Sequence, residues 1–110
     1  MALSQNNPEY KVQTACIKYF RLKYPKYIIM SVPNEGCWKS KQYFTNLGML
    51  SGASDTIIVT DKEVIFCEFK AGRNRQSLEQ KVFQQQVEQL GYKYWLVYNL
   101  DEFIKLTDTL

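Results

Sequence analysis

The fold is decided by one stretch of sequence, DTIIVTDKEVIFCEFK at residues 55–70. Two runs rich in β-branched and aromatic residues flank Asp61 and Lys62, and this pattern predicts two strands joined by a tight turn. A hairpin centred on that turn places Asp55 opposite Glu68, with their Cβ atoms roughly 5 Å apart. Like charges in this position destabilise a sheet, and a divalent cation bound by their oxygens is the simplest way to offset the repulsion.

The hairpin geometry alone leaves a second interpretation of the two acids open. Acids at strand ends are often solvated, and here they also have Arg73 and Arg75 close by in sequence as possible ion-pair partners. Lys70 lies two residues beyond Glu68 and therefore on the same face of the strand. It is either a cation that takes part in the chemistry or an ordinary ion-pair partner of Glu68, which contributes little to stability if exposed.

Length and composition predict a single domain over residues 1–110, with 45% hydrophobic residues to form its core. The sequence has no apolar run of 18 residues and no recognisable signal peptide, so we expect a cytoplasmic protein of a bacterium or a phage-infected host cell. Histidine is absent, which argues against a zinc site and excludes Ser-His and Cys-His nucleophiles. Cys16 and Cys67 fall on apolar faces and are predicted to be core thiols.

Charge is distributed unevenly along the chain. Residues 1–50 hold seven Lys or Arg and two acids, whereas residues 51–110 hold seven Lys or Arg and nine acids. A basic half beside a small acidic cluster suits an enzyme that binds a polyanion and carries cations to it. The net charge of +3 is too small to establish nucleic-acid binding by itself.

The remaining elements follow from caps and periodicity. Asn7 and Pro8 predict the start of a helix that runs to about Lys23, with residues 27–32 as a strand and residues 34–54 as a long loop. After the hairpin, residues 78–90 predict a helix, residues 92–98 a strand and residues 101–107 a short helix. The apolar positions of the second helix predict a buried face made of Leu78, Val82, Phe83, Val87 and Leu90. The order α-β-β-β-α-β-α indicates an α/β domain with a mixed central β-sheet flanked by helices.

Four motifs occur in this order along the chain and together resemble the VRR-NUC family of the PD-(D/E)XK nuclease superfamily. They are GMLSGASD at residues 48–55, FCEFKA at residues 66–71, SLEQ at residues 77–80 with Phe83, and GYKYWLV at residues 91–97. An early helix with Glu9 and Gln13 also fits. The resemblance covers nearly the whole chain and implies the restriction-endonuclease-like fold. Ser54 replaces the proline that names the superfamily, at a position that shapes the turn and binds no metal.

The resemblance implies a role for each residue of the site. Asp55 and Glu68 would bind the metal, with the backbone carbonyl of Phe69 and the carboxylate of Glu9 as further ligands. The implied cofactor is Mg²⁺, with Mn²⁺ able to substitute. Lys70 would orient the attacking water or stabilise charge that develops on the phosphate.

Two of these residues also have a purely structural interpretation. Glu9 lies in the first turn of its helix, where the helix dipole favours an acid whatever its function. Gln80 matches a catalytic glutamine of the family, but Ser77-x-x-Gln80 is also a capping box, in which each residue bonds the backbone of the other. Neither alternative is excluded by the sequence.

Basic side chains near the site are predicted to contact DNA. Arg73, Arg75 and Lys81 follow the catalytic lysine in sequence, and Lys39 and Lys41 lie in the long loop. Lysine and arginine bind phosphates and fix the register of a protein on a nucleic acid. Exposed basic residues also serve solubility alone.

The leading hypothesis is therefore a Mg²⁺-dependent endodeoxyribonuclease that hydrolyses phosphodiester bonds without a covalent enzyme intermediate. Standalone members of this family look like phage-type homodimers that resolve Holliday (four-way) junctions, so branched DNA is the expected substrate. A flap-directed or restriction-like nuclease is the enzymatic alternative. A non-catalytic nucleic-acid-binding or assembly module is the alternative from another class.

Overall fold

The computed structural model describes residues 6–32 and 41–110, except for the side chains of Lys41 and Phe44. Its elements, in chain order, are α1 (Pro8–Lys23), β1 (Ile28–Ser31), α2 (Lys41–Asn46), β2 (Thr56–Val59), β3 (Val64–Phe69), α3 (Leu78–Gln89), β4 (Lys93–Val97) and α4 (Leu100–Thr107). The predicted order is confirmed except that α2 lies within the segment predicted as a loop. In the part of the chain described, no helix has both the length and the apolar character needed to cross a membrane.

The four strands form one mixed sheet in the order β1-β2-β3-β4. The first three are antiparallel neighbours, whereas β3 and β4 run parallel. A parallel pair needs a crossover connection, and here α3 supplies it. The mixed sheet is as predicted, and β2 and β3 occupy its centre. The two strands that carry the predicted site are therefore held by hydrogen bonds on both sides.

Helix α1 begins as the sequence predicts. The side chain of Asn7 accepts a hydrogen bond of 2.8 Å from the backbone N–H of Glu9, and Pro8 is the first helical residue. Both features are favoured there, because the first N–H groups of a helix lack internal partners. Cys16 and Phe20 form the buried part of its apolar stripe. This packing orients α1 so that its N-terminus lies near the ends of the strands that carry Asp55 and Glu68.

The hydrophobic core lies between one face of the sheet and the helices α1 and α4. Alternate residues of the central hairpin point into it, which is the expected pattern of a strand with one fully buried face. Both Cys16 and Cys67 are free and fully buried there, as predicted. The fully buried members from the sheet are Ile58, Ile65, Cys67, Phe69 and Val97, and those from the helices are Cys16, Phe20 and Phe103.

The predicted buried face of α3 is wrong in three of its five residues. Val87 is buried and Phe83 half-buried, but Leu78 is 74%, Val82 46% and Leu90 75% exposed. The reason is that α3 packs on the second face of the sheet through a narrow strip, in which Phe83 contacts Phe66 and Tyr94. Periodicity locates the apolar stripe of a helix but does not say how much of it a neighbouring element covers.

Gly52 is required by a close approach between the loop before β2 and helix α3. Its φ is +84°, and a Cβ added there would overlap the backbone carbonyl of Glu79. We expect Gly52→Ala to cost about 1–2 kcal/mol for the left-handed backbone and about 1–3 kcal/mol more for the overlap. Urea unfolding measures this cost. Gly48→Ala is the matched control, because Gly48 also has positive φ (+98°) but faces open space. Equal losses in the two variants would contradict the close approach.

Candidate active site

The register of the central hairpin is the one that the sequence predicts. Thr56 pairs with Cys67 and Val59 with Val64, so one further step along the same register sets Asp55 opposite Glu68. Asp55 is fixed there by two bonds. Its Oδ2 accepts the backbone N–H of Phe69 at 3.0 Å, and its carbonyl accepts the N–H of Val32 at 2.7 Å. The first carboxylate is thus held between the ends of β1 and β3.

Glu68 is the most unusual charged group of the structure because its residue is only 1% exposed. Its Oε2 accepts a hydrogen bond of 3.2 Å from Nε2 of Gln80, but its Oε1 is buried and has no partner. Burial, followed by the negative charge of Asp55, raises the pKa of Glu68 from 4.5 to about 9. Two opposed acids and an unpartnered buried oxygen are the arrangement that a bound cation would satisfy.

Lys70 lies beside Glu68, as predicted, and is itself 9% exposed. Its Nζ is 4.0 Å from Oε2 of Glu68, while its backbone N–H donates to the carbonyl of Val97 at 2.9 Å. Burial excludes the interpretation as an ordinary exposed ion pair. The β3–β4 ladder fixes the main chain of Lys70, so its ammonium group is presented at the edge of the acidic pair.

Gln80 forms the capping box of its helix and also contacts the predicted site, so its two interpretations do not exclude each other. It forms the capping box of α3, since the Ser77 N–H donates to its Oε1 at 2.8 Å and its own N–H donates to Ser77 Oγ at 3.2 Å. The other end of the same amide donates to Glu68. The cap therefore orients Gln80 toward the site, and its catalytic role stays a prediction.

Glu9 is half-buried and near enough to Glu68 for its charge to raise the pKa of that residue further. Its Oε2 accepts a hydrogen bond of 2.7 Å from the side-chain amide of Asn74. In residues 6–32 and 41–110, no three Asp, Glu, Cys or His side chains form a cluster that could hold a metal. The structure thus brings Glu9 close to the acidic pair without making it a ready third ligand, and its role stays a prediction.

A magnesium ion fits the residues that are present. Mg²⁺ typically takes one or two carboxylates and keeps several waters, so Asp55 and Glu68 with the carbonyl of Phe69 are sufficient ligands. The orphaned Oε1 of Glu68 is the specific observation that favours a cation. A transition metal that prefers nitrogen or sulfur ligands does not suit this oxygen set.

The basic residues predicted to contact DNA are exposed where the structure describes them. Arg73 and Arg75 lie in the loop between β3 and α3, and Lys81 lies in the first turns of α3. Within the described residues, neither arginine makes an ion pair with Asp55 or Glu68, contrary to the alternative left open above. Lys39 and the side chain of Lys41 lie outside the described residues.

Sequence reasoning did not find the residues that hold the loop between β3 and α3. Asn74 bonds Glu9, and the hydroxyl of Tyr98 donates to the Asn74 carbonyl at 2.8 Å. Gln76 donates to the hydroxyl of Tyr94 at 3.3 Å. No signal in the sequence distinguishes Asn74 from an ordinary turn asparagine that follows a glycine by two residues. Its partners are far away in the chain, so only the fold reveals them.

The raised pKa of Glu68 predicts how the metal-free stability depends on pH. A carboxyl group whose folded pKa exceeds its unfolded one stabilises the fold fully below the unfolded value, and this contribution is lost as pH rises through the folded value. For Glu68 the loss of stability therefore extends from pH 4.5 to about pH 9. We therefore expect Glu68→Gln, which is neutral at every pH, to be more stable than the wild type in EDTA at about pH 8.

Thermal unfolding in EDTA at several pH values checks this expectation. The difference in Tm between Glu68→Gln and the wild type should widen from about pH 5 to pH 9 and then level off. Glu79→Gln is the matched control, because Glu79 is an exposed acid of α3. Parallel curves for Glu68→Gln and the wild type would contradict the raised pKa.

Comparisons with known proteins support the fold. No protein-family model and no curated protein matches the chain. Among solved structures, a VRR_NUC domain matches with a TM-score of 0.69 at 17% identity, over 93% of this chain and 96% of that one. A VRR_NUC domain protein matches with a TM-score of 0.72 at 20% identity, over 96% of this chain and 89% of the other. The chain therefore has the α/β fold of the VRR_NUC domains, which confirms the predicted fold and, at the level of fold, the predicted resemblance.

Proposed function

We propose that this protein is a Mg²⁺-dependent DNA endonuclease of the VRR-NUC type, which hydrolyses phosphodiester bonds in branched DNA. The observation that carries the proposal is the buried carboxylate of Glu68, which faces Asp55 and has one oxygen without a partner. An acid pair of this kind destabilises the metal-free fold, and costs of this kind are typical of functional sites. The shared fold of the VRR_NUC domains supports the same conclusion.

Asp55, Glu68 and the Phe69 carbonyl would hold the metal. When bound, Mg²⁺ supplies Lewis-acid chemistry, which polarises the phosphate and activates water. The chain itself keeps the two carboxylates fixed, since Asp55 is held by the N–H of Phe69 and Glu68 by the amide of Gln80. Fixed ligands need no rearrangement when the substrate arrives.

Lys70 is the group that this chain offers to the reacting phosphate. Its ammonium is a compact charge with three donors, suited to orienting a water or to stabilising negative charge that develops on oxygen. A site shielded from bulk water strengthens that interaction. Lys70 is itself largely shielded, and its main chain is fixed by β4.

Arg73 and Arg75 are proposed to bind the DNA backbone. The logarithm of the DNA-binding constant falls linearly with the logarithm of the salt concentration. Each phosphate contact that is lost makes this slope less steep by about 0.9 for duplex DNA. We expect the double variant Arg73→Ala/Arg75→Ala to bind DNA more weakly and to reduce that slope by about two. Fluorescence anisotropy in Ca²⁺ or EDTA over a salt series measures it. Lys105→Ala, an exposed residue of α4, is the control, and an unchanged slope in the double variant would rule out these contacts.

The choice of branched DNA and of a homodimer rests on the likeness to VRR-NUC domains rather than on any residue. Two active sites related by a two-fold axis match a substrate that is itself roughly two-fold, such as a four-way junction. The free buried thiols of Cys16 and Cys67 fit a reducing cytoplasm. A flap-directed or restriction-like activity and a non-catalytic binding module are the alternatives that the assay below distinguishes.

The test is cleavage of linear duplex, flap and four-way-junction DNA, with Mg²⁺ or with EDTA, by the wild type and by Asp55→Ala. We expect Mg²⁺-dependent cleavage, strongest on the junction, which Asp55→Ala abolishes. Equal cutting of linear DNA would remove the junction preference, and preferred cutting of flaps would reassign the substrate. Binding without cleavage of any substrate would establish the non-catalytic module. Cleavage that survives Asp55→Ala would indicate a contaminant.

A further inference from the structure

Asn74 is the residue through which three separate parts of the chain meet beside the site. Its backbone N–H donates to the carbonyl of Ala71 at 3.1 Å and closes the turn after Lys70. Its carbonyl accepts the hydroxyl of Tyr98, just beyond β4, at 2.8 Å. Its side-chain amide donates to Oε2 of Glu9, in the first turn of α1, at 2.7 Å. Every polar group of its backbone is thus used, and its side chain is aimed at a carboxylate.

Glu9 has no cationic partner in the described part of the chain, although it lies near an acidic pair. When both acids of the pair are ionised, as binding of a cation requires, their charge would repel the Glu9 carboxylate toward solvent. The neutral amide of Asn74 holds it in place without neutralising its charge. The bond joins residues 65 positions apart and is charge-assisted, because its acceptor is a carboxylate.

We propose that Asn74 is a positioning residue that holds the charged carboxylate of Glu9 toward the metal site formed by Asp55 and Glu68. The inference rests on the proposed function and adds a residue to it. Groups that orient a metal-site carboxylate through a hydrogen bond typically contribute 10- to 100-fold to metal affinity. Asn74 acts through Glu9 rather than on the metal or the DNA.

A double-mutant cycle on Mg²⁺ affinity tests this role, with isothermal titration of MgCl₂ into the full chain. We expect Asn74→Ala to weaken Mg²⁺ binding about tenfold and Glu9→Gln to weaken it by at least as much. Adding Asn74→Ala to Glu9→Gln should change affinity by less than about twofold. A glutamine still accepts the hydrogen bond of Asn74 but carries no charge, so a merely structural role of Asn74 would persist in that background.

Tyr98→Phe is the matched control for order in the loop. It removes the bond to the Asn74 carbonyl and leaves the Asn74 side chain unchanged, so we expect Mg²⁺ affinity within about twofold of the wild type. Three results would overturn the proposal: no effect of Asn74→Ala, an undiminished effect in the Glu9→Gln background, or an equal loss in Tyr98→Phe. Thermal unfolding of every variant excludes loss of the fold as the cause.

Cleavage assays on the same variants separate the proposed role of Asn74 from the proposed nuclease function on which it rests. A wild type that binds Mg²⁺ but cuts no DNA would refute the nuclease, while the cycle would still decide the role of Asn74. A wild type that cuts DNA, together with additive effects in the cycle, would refute Asn74 alone. Wild-type protein that binds no Mg²⁺ would refute both.

Discussion

Lys70→Ala is expected to lower the rate of Mg²⁺-dependent DNA cleavage by roughly 100- to 1,000-fold, the usual cost of removing one group that stabilises charge in a transition state. Lys70 is 9% exposed and lies 4.0 Å from Glu68, so no water can replace its charge with equal effect. The lysine is not a metal ligand. The Mg²⁺ concentration for half-maximal activity should therefore change little, and single-turnover cleavage at saturating Mg²⁺ measures the loss directly.

Lys62→Ala is the matched control for this substitution. Lys62 is exposed and lies in the turn at the other end of the same hairpin, so the same chemical change there should leave cleavage within about twofold. Asp55→Ala provides the contrast, because losing a ligand should weaken Mg²⁺ binding, as isothermal titration measures, as well as abolish cleavage. Near-wild-type cleavage by Lys70→Ala would show that Lys70 takes no part in the chemistry and is only a structural ion-pair partner of Glu68.

Phe103→Ala is expected to destabilise the protein by about 3–5 kcal/mol, the range typical of truncating a fully buried aromatic side chain. Phe103 is fully buried at the junction of α1, α4 and the sheet. Its ring centroid lies between 6.0 and 6.4 Å from the rings of Tyr19, Phe20, Phe69 and Trp95. Truncation leaves a cavity that these rings can fill only by leaving their own contacts.

Urea and thermal unfolding measure the loss, and Tm should fall by more than about 10 °C. Phe83→Ala is the comparison, since Phe83 is half-buried on the opposite face and contacts only Phe66 and Tyr94 among the described aromatic rings. We expect its cost to be less than half as large, because part of its side chain is already in water. A similar loss in both variants would show that the core is not centred on Phe103.

Local sequence patterns were sufficient to predict most of the helices and strands, and to place Asp55 opposite Glu68. The alternation of residues 55–70 determines the hairpin, its turn and its register, and the register alone sets Asp55 opposite Glu68. Asn7 and Ser77 cap the helices that the sequence assigns to them. These features depend on neighbours within a few residues, so a single sequence contains them.

The sequence could not predict how much of the apolar face of a helix the rest of the fold covers, or which side chains become buried. The exposure of Leu78 and Leu90 depends on how α3 meets the sheet, which is a property of the whole fold. The helix α2 was missed because residues 34–54 have weak periodicity. The sequence left Gln80 as either a helix cap or a catalytic residue, and only the structure shows that its side chain both caps α3 and bonds Glu68.

By itself, the sequence determined that two carboxylates and a lysine share one end of a hairpin, because strand pairing is a local rule of alternation and register. Only the tertiary structure decided how deeply those charged side chains are buried and which groups surround them. The fold buries Glu68 beside Gln80 of α3, leaves its Oε1 without a partner and brings Glu9 of α1 and Asn74 together nearby. Burial depends on atoms that are distant in the chain, and burial is the property of this acid pair on which the proposed cation site rests.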